Sequence, residues 1–384
     1  MIRLVDAMWT TVIVRYGELA LKSWPVRRHF ERRLVSSINL ALEGLEYAVR
    51  RERGRVFVDA RSPALIAKRL SRVPGIVSVS LATKVKADMN EICKAALRLA
   101  KKVLAPSASF AVCTSRVGKH TFSSRDVNVE VGSAILSKVK DVHVNLSHPD
   151  REIFIEVREK DAYVFAETLE GVGGLPAGTQ GSVVALFSGS RNDIAAAYLM
   201  IKRGSTVFPV FPSQRPYGNG EVPRFVTASA KKLADFDPKL DLRVFPFHKV
   251  VSELKKAAVG DYAHCICKRS ALKAADAVAE QVGAEAIVVA DDVKQITAQK
   301  LANLSVVDEA CKLPVLRPLA GFNGTEIERL KVKAKLLSRA KEACPFQPHR
   351  DIVSLEKIHE LEEGMKIGAL IEESLSKVKV IKLW

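Results

Sequence analysis

The strongest constraint on the fold is the alternation of short apolar runs with helical segments from Val183 onward. The runs are "VVALFSG", "TVFPVFP", "DLRVFPF", "AEAIVVAD" and "KLPVLRPLAG". This alternation is typical of units that build a doubly wound parallel sheet. Ligands of such folds lie at the carboxyl ends of the strands, and Ser188, Gly189 and Ser190 fall at that end of the first run. The sequence therefore predicts a candidate phosphate-binding turn at "SGSRND".

The first half of the chain predicts two smaller α+β units. The first has strands at "TVIVR", "RVFVDA" and "VSVSLATKV", a helix from about Trp24 to Leu45, and a second helix that starts at Ser62 or Pro63. This β-α-β-α-β order suggests a unit of roughly 80 residues. The second unit has helices at 89–104 and around 126–139, with strands "SFAVCTSRV", "EIFIEVRE" and "DAYVFAETL". The glycine-rich stretch 170–182 is predicted to be a linker.

The charge balance favours a polyanionic partner. The chain of 384 residues carries 60 Lys and Arg against 43 Asp and Glu, a net charge of +17. Between Lys22 and Arg72 there are 13 basic and 5 acidic residues. Neutralised phosphates release condensed counterions, so nucleic acid is the favoured partner. The alternative is the charged surface of a heat-adapted protein, although such surfaces usually add charges of both signs.

Two classes of protein are disfavoured. No apolar run approaches membrane-spanning length, and no signal-peptide core follows the start of the chain, so we expect a cytoplasmic protein. The six cysteines do not form the pattern of a secreted disulfide framework. Cys93, Cys113 and Cys311 lie in apolar patterns and are predicted to be core residues.

Several segments, in order, resemble the tRNA 4-thiouridine synthetases, which combine a THUMP domain with a PP-loop ATP pyrophosphatase domain. They are "VRYGELALKS", "SRVPGIVSVS", "SRVGKHTFSSRDVNVEVGSAIL", "VNLSHPDREIFIEVRE", "AYVFAETLEGVGGLPAGTQG", "AAYLMIKRG", "CKRSAL" and "LPVLRPLAGFNGTEI". The resemblance runs from about Val12 to Cys344. It implies a multidomain protein of α/β and α+β class. The expected parts are a ferredoxin-like domain (1–80), a THUMP RNA-binding domain (81–169), a linker (170–182) and a doubly wound parallel-sheet PP-loop domain with a helical tail (183–384).

The resemblance implies a two-step reaction on tRNA. ATP adenylates O4 of a uridine and releases pyrophosphate, and a sulfur nucleophile then expels AMP to leave 4-thiouridine. Such a protein would use ATP with Mg²⁺ and bind tRNA by its shape and backbone. Its sulfur would come from an iron–sulfur cluster, from sulfide or from a separate donor such as the persulfide of a cysteine desulfurase, because few residues follow Cys344 and a rhodanese domain would not fit there. A homodimer is also expected from the family.

The resemblance places the ATP contacts on two groups of residues. The first group lies at the turn and comprises Leu186, Phe187, Ser188, Gly189, Ser190, Asn192 and Asp193. The second group comprises Val210, Phe211, Arg269, Ala290 and Gln299.

The loop departs from the family pattern Ser-Gly-Gly-x-Asp-Ser-Pro. Ser190 stands for the second Gly, Asn192 for the Asp and Asp193 for the Ser. A carboxylate at 193 would repel phosphate, and Arg191 could offset it. Ala290 and Val210 also replace family residues, a Gly and a His. The alternative interpretation is a PP-loop fold kept for packing alone.

The cysteines favour an active enzyme over a fold that is kept for packing alone. Rhodanese-free members of the family carry Cys-x-x-Cys before Lys-Arg and a third cysteine near the C-terminus. Here the stretch is "HCICKR", so Cys265, Cys267 and Cys344 are the expected catalytic cysteines and the candidate ligands of an iron–sulfur cluster, with His264 as a substitute ligand. The alternative is that Cys265 and Cys267 are ordinary thiols.

Two functions remain at this stage, with a third as a further alternative. The first is a tRNA sulfurtransferase, and the second is a tRNA-binding paralogue whose PP-loop domain has lost ATP chemistry. The third is sulfur transfer for thiamine thiazole synthesis. In all of the tRNA interpretations the expected RNA-binding residues are basic, namely Lys22, Arg27, Arg28, Arg32, Arg116, Lys119 and Arg125.

Overall fold

The computed structural model describes residues 10–17, 23–52, 54–214, 222–260, 262–297, 300–336, 345–346 and 352–383. Lys22, Gln299 and Cys344 lie outside the described residues. Chain contacts divide the protein into two compact units. The first comprises 1–28 and 35–173, and the second comprises 29–34 and 174–384.

The N-terminal elements run as follows: β1 (Thr11–Tyr16), α1 (Trp24–Ala41), β2 (Tyr47–Glu52), β3 (Arg55–Ala60), α2 (Pro63–Leu70), β4 (Ile76–Lys86), α3 (Met89–Val103), β5 (Ser109–Arg116), α4 (Ser124–Lys138), β6 (His143–Val144), β7 (Arg151–Val157), β8 (Asp161–Phe165) and β9 (Leu169–Glu170). The strands form one sheet in the order β2-β3-β1-β4-β8-β7-β5-β6, with β9 paired to β4.

One long strand joins the two predicted N-terminal parts. The first half of β4 pairs antiparallel with β1, and its residues from Thr83 to Lys86 pair antiparallel with β8. Strand β2, which was not predicted from the sequence, forms an antiparallel hairpin with β3. Charged side chains occupy much of "YAVRRE", as expected for a half-exposed edge strand, and this weakened its apolar signal.

The C-terminal elements run as follows: β10 (Ser182–Leu186), α5 (Arg191–Arg203), β11 (Thr206–Ser213), α6 (Arg224–Ala234), β12 (Asp241–Pro246), α7 (His248–Lys256), α8 (Tyr262–Val282), β13 (Ala286–Val288), α9 (Val293–Thr297), α10 (Leu301–Asp308), β14 (Val315–Leu316), α11 (Gly324–Ala334), α12 (Leu355–Gly364), α13 (Ile367–Leu375) and β15 (Lys379–Lys382).

The second sheet is the predicted doubly wound one. Its order is β14-β13-β10-β11-β12-β15, and the pairs from β14 to β12 are parallel. Strand β15, to which the sequence analysis assigned no role, pairs antiparallel with β12 and closes that edge. Helix α8 packs its apolar residues, including Ile266 and Leu272, into the core of this unit. The carboxyl ends of β10, β13 and β14 therefore meet at one edge, where a ligand site is expected.

Candidate active site

The turn after β10 keeps the geometry of an anion-binding loop at its glycine. Gly189 has a φ of 81°, in the left-handed region that disfavours a side chain. A Cβ at this position would lie 3.0 Å from Cα of Val226. Ser190 follows as the N-cap of α5, so the loop leads directly into a helix N-terminus.

The carboxylate of Asp193 occupies the donors of this loop. Its Oδ2 accepts hydrogen bonds from the backbone N–H of Ser188 (2.7 Å), the hydroxyl of Ser188 (2.5 Å) and the backbone N–H of Ser190 (3.2 Å). In return, the N–H of Asp193 donates to Oγ of Ser190, which completes a capping box. Burial raises the pKa of Asp193, and the donors from Ser188 and Ser190 offset part of this effect.

The side chains of Asn192 and Arg191, which precede Asp193, form their described contacts with residues outside the loop. Asn192 is buried, and its Nδ2 donates to Oδ2 of Asp292 (2.9 Å) and Oε1 of Gln295 (3.3 Å). Oδ1 of Asn192 is buried without a hydrogen-bond partner among the described residues. Arg191 forms an ion pair with Glu328 of α11 at 3.5 Å, on an exposed surface. The sequence suggested that Arg191 offsets the charge of Asp193. In this structure the described ion pair of Arg191 is with Glu328 instead.

A cavity of about 170 Å³ opens beside the loop. Five of the predicted ATP contacts line it, namely Leu186, Phe187, Ser188, Asp193 and Ala290. The remaining lining residues are Pro212, Lys268, Ala271, Leu272, Val289, Asp291, Val307 and Arg317. The cavity thus has apolar walls and a few polar groups at the carboxyl edge of the sheet, as small-molecule sites usually do.

A charged cluster on the cavity wall was missed by the sequence analysis. Nζ of Lys268 lies 3.0 Å from Oδ1 of Asp291, and Nε of Arg317 lies 3.4 Å from Oδ2 of the same carboxylate. Arg317 also binds both oxygens of Asp308, at 2.8 and 2.6 Å. Asp291 and Arg317 follow the carboxyl ends of β13 and β14, so the rule that pointed to Ser188 could have found them.

Other predicted ATP contacts lie outside the lining of this cavity. Val210 and Phe211 are buried in β11, and Gly189 and Ser190 hold the turn without lining the cavity. Arg269 is 1% exposed and pairs with Glu362 and Glu309. Burial is the largest single influence and lowers the pKa of Arg269, but the hydrogen bonds and charges of Glu362 and Glu309 together outweigh it and raise the pKa above its ordinary value.

The structure places Cys265 and Cys267 on α8 with both side chains buried. Residues two apart in a helix do not face the same side. Burial raises the pKa of Cys265 to about 11, which favours a protonated thiol at neutral pH. Nδ1 of His264 lies 3.2 Å from the carbonyl oxygen of Phe346. Within the described ranges, no three His, Cys, Asp or Glu residues form a metal-binding group.

The predicted RNA-binding residues of the first unit lie at the surface of β5, α4 and the turn between them. Arg116, Lys119 and Arg125 are exposed. Nη1 of Arg116 donates to the carbonyl of Gly118 (3.1 Å) and lies 3.4 Å from Nδ1 of His120. On α1, Arg28 and Arg32 are exposed and Arg27 is half-buried. None of the helices among the described residues is long and apolar enough to cross a membrane.

Together, the fold and this site define an α/β protein with exposed basic residues in its first unit and a cavity at the carboxyl edge of its second sheet. Three family models match the chain in order. They are the ThiI ferredoxin-like domain (residues 11–80), the THUMP domain (86–167) and the thiamine biosynthesis protein ThiI (178–366).

The relatives found by sequence and by structure point the same way. A probable tRNA sulfurtransferase of Methanosarcina mazei is 32% identical over 97% of this chain and 95% of its own length. One of Methanocaldococcus jannaschii is 33% identical over 93% and 97%. A 4-thiouridine synthetase solved in complex with RNA and ATP matches with a TM-score of 0.82 and 28% identity, covering 97% of this chain and 100% of that one. The chain belongs to the ThiI family of tRNA sulfurtransferases.

Proposed function

We propose that this protein is a tRNA sulfurtransferase that uses ATP to convert a uridine of tRNA into 4-thiouridine. The observation that carries the proposal is the likeness, over nearly the whole chain, to a 4-thiouridine synthetase solved with RNA and ATP. The cavity at the carboxyl edge of the second sheet supports it, because a nucleotide is expected at that edge.

The expected domains would divide the work. We propose that the ferredoxin-like part (1–80) and the THUMP part (81–169) hold the tRNA, through Arg116, Lys119 and Arg125 together with the arginines of α1. Phosphate contacts of this kind position an RNA and do not read its sequence. The PP-loop part (183–384) would then receive the target uridine. From the family we further propose that sulfide or the persulfide of a cysteine desulfurase donates the sulfur, and that the protein is cytoplasmic and forms a homodimer.

In the cavity, Leu186, Phe187 and Ala290 would contact the nucleoside. Lys268 and Arg317 lie on the same wall and would offset the charge of the phosphates. Of the two described carboxylates that line the cavity, Asp291 is the one outside the loop, and its oxygens would hold Mg²⁺, which would supply further charge compensation for the polyphosphate. These groups favour attack of the uridine O4 on the α-phosphorus, with pyrophosphate as leaving group, because they stabilise the charge that leaves.

The second step needs a sulfur nucleophile at C4 of the adenylated uridine, and AMP then leaves. With hydrogen sulfide as donor, a C–S bond forms, the C–O bond to AMP breaks, and no oxidant is required. Cys265 and Cys267 are buried two residues apart on α8, and Cys344 lies outside the described residues, so we route no step through an iron–sulfur cluster. Cys344 stays a prediction from the family pattern.

The test is the release of pyrophosphate and AMP from ATP–Mg²⁺ by the purified protein. We expect release that depends on both unmodified tRNA and sulfide, and that falls when Lys268 is replaced by Ala. Release that is equally fast without tRNA would contradict the proposal. Lys231→Ala, on the exposed face of α6, serves as a control for a lost surface charge.

One observation favours a second function, namely tRNA binding without ATP chemistry. The Asp193 carboxylate holds the loop donors that a phosphate requires. A protein of this second type would bind tRNA in a salt-dependent way and release no pyrophosphate under any of the conditions above.

A further inference from the structure

The loop of the second unit contains an anion of its own. Three donors, two from Ser188 and one from Ser190, converge on Oδ2 of Asp193 within 3.2 Å. Backbone N–H groups at a helix N-terminus are the donors that bind phosphate in other proteins. In this chain one carboxylate oxygen takes the hydrogen bonds that a phosphate oxygen would otherwise accept.

Comparison with a helix cap elsewhere in the chain shows that Asp193 accepts more hydrogen bonds than capping of a helix requires. Helix α4 has the same capping box, formed by Ser123 and Asp126. Asp126 accepts from the N–H of Ser123 at 2.8 Å and is exposed. Asp193 does the equivalent with Ser190, but it is partly buried and reaches two residues further back to both donors of Ser188. The extra contacts are the ones that close the loop.

We propose that Asp193 is an internal ligand of the loop, which occupies the position of a nucleotide phosphate and limits the affinity for ATP. The proposal rests on the proposed function, since it takes this loop as the phosphate site. A phosphate and the Asp193 carboxylate carry like charges and need the same donors, so they exclude each other. ATP binding therefore requires the Asp193 side chain to leave the N–H groups of Ser188 and Ser190.

The surroundings of Asp193 are consistent with competition between its carboxylate and a nucleotide phosphate. Asp193 lines the cavity together with Ser188, so a bound polyphosphate would meet this carboxylate. Lys268 and Arg317, which also line the cavity, are each paired with Asp291 and are not among the described partners of Asp193. The charge of Asp193 is thus balanced by hydrogen bonds from the loop itself, and removing the carboxylate frees these donors.

The experiment measures the binding of magnesium pyrophosphate and of ATP–Mg²⁺ by isothermal titration to the full chain, in the wild type and in Asp193→Ser. We expect at least tenfold tighter binding of both probes by Asp193→Ser. Asp126→Ser removes the same type of capping carboxylate from α4 and is expected to leave both affinities unchanged. Equal or weaker binding by Asp193→Ser would overturn the proposal.

A second variant covers the case in which the lost cap unfolds Asp193→Ser. Asp193→Asn removes the charge and keeps the size of the side chain, and its melting curve is recorded beside the wild type. The neutral amide oxygen accepts from the loop donors more weakly than a carboxylate oxygen does, so we expect a gain in affinity that is smaller than that of Asp193→Ser. A folded Asp193→Asn with unchanged or weaker affinity also overturns the proposal.

The two proposals can fail separately. Tighter binding without thiolation would support the internal ligand and contradict the sulfurtransferase. Thiolation by the wild type, with no gain in affinity for either variant, would support the sulfurtransferase and contradict the internal ligand.

Discussion

Nε of Arg269 lies 2.9 Å from Oε1 of Glu362, so a fully buried guanidinium on α8 is tied to a buried carboxylate on α12. Glu362 also accepts a hydrogen bond from Nζ of Lys273 at 2.6 Å. This network fastens the C-terminal helices to the core of the second unit. It also explains why Arg269, an expected ATP contact, does not line the cavity beside the loop in this structure.

Replacing Glu362 by Ala is expected to destabilise the protein by about 3 kcal/mol or more, because removing one partner leaves a buried charge without compensation. The measurement is the free energy of unfolding in urea. Glu363→Ala, exposed on the same helix, is the control and is expected to change stability by less than about 0.5 kcal/mol. Equal stability of the two variants would show that the network contributes little.

A second buried charge cluster lies in the first unit around Glu156, which is 4% exposed. Its carboxylate pairs with Arg55 at 3.2 Å, with Arg15 at 3.7 Å and with Arg158. Glu156→Gln would leave these three cations facing one another, and we expect a loss of about 3 kcal/mol in unfolding free energy. Glu152→Gln, exposed on the same strand, should leave the unfolding curve nearly unchanged.

The RNA interface is tested by salt dependence. Lys119 and Arg125 are exposed on the first unit, and each is expected to contact one phosphate of tRNA. Lys119→Ala and Arg125→Ala should each lower the slope of log affinity against log salt by about 1. Lys94→Ala, on α3, pairs with Glu91 and serves as the control. An unchanged slope in both variants would place the tRNA elsewhere on the protein.

One surface contact predicts a pH effect of known sign. Hydrogen bonds from Lys249 and Lys377 lower the pKa of Glu373 to about 2 from an ordinary 4.5. Because the folded pKa is depressed, the contribution of Glu373 to stability is present above pH 4.5 and is lost as the pH falls through about 2.

Urea midpoints of the wild type and Glu373→Gln should therefore differ slightly at about pH 6 and converge below about pH 2. Glu372→Gln, exposed on the same helix, controls for the lost negative charge. High salt should reduce the difference, since this pair is at the surface. A difference that grows as the pH falls would contradict the assignment.

The sequence predicted the parts of the fold that depend on local patterns. Alternating apolar runs and helices indicated the parallel sheet, and the strong periodicity of α3 located that helix to within one residue of its end. Strand β15 was not predicted because its four residues carry little periodic signal. Its partner strand β12 is also far from it in the sequence. The joining of two predicted domains through β4 is likewise a property of the assembled sheet.

The candidate site shows a sharper limit. The pattern located the turn between β10 and α5, and it indicated the departure at position 193, where repulsion of phosphate was expected. It could not indicate that the Asp193 side chain folds back onto Ser188, because that contact depends on loop geometry. Lys268 was overlooked in favour of its neighbour Arg269, although one residue along a helix changes direction by about 100° and moves a side chain from core to cavity.

The most direct test of the central claim is the nucleoside content of tRNA after reaction. Unmodified tRNA is incubated with the wild-type protein, ATP–Mg²⁺ and sulfide without oxygen, then digested and analysed for 4-thiouridine by mass spectrometry. The account predicts 4-thiouridine that accumulates with AMP in equal amounts and is absent when ATP is omitted. Tightly bound tRNA that gains no 4-thiouridine, with no AMP formed, would contradict it.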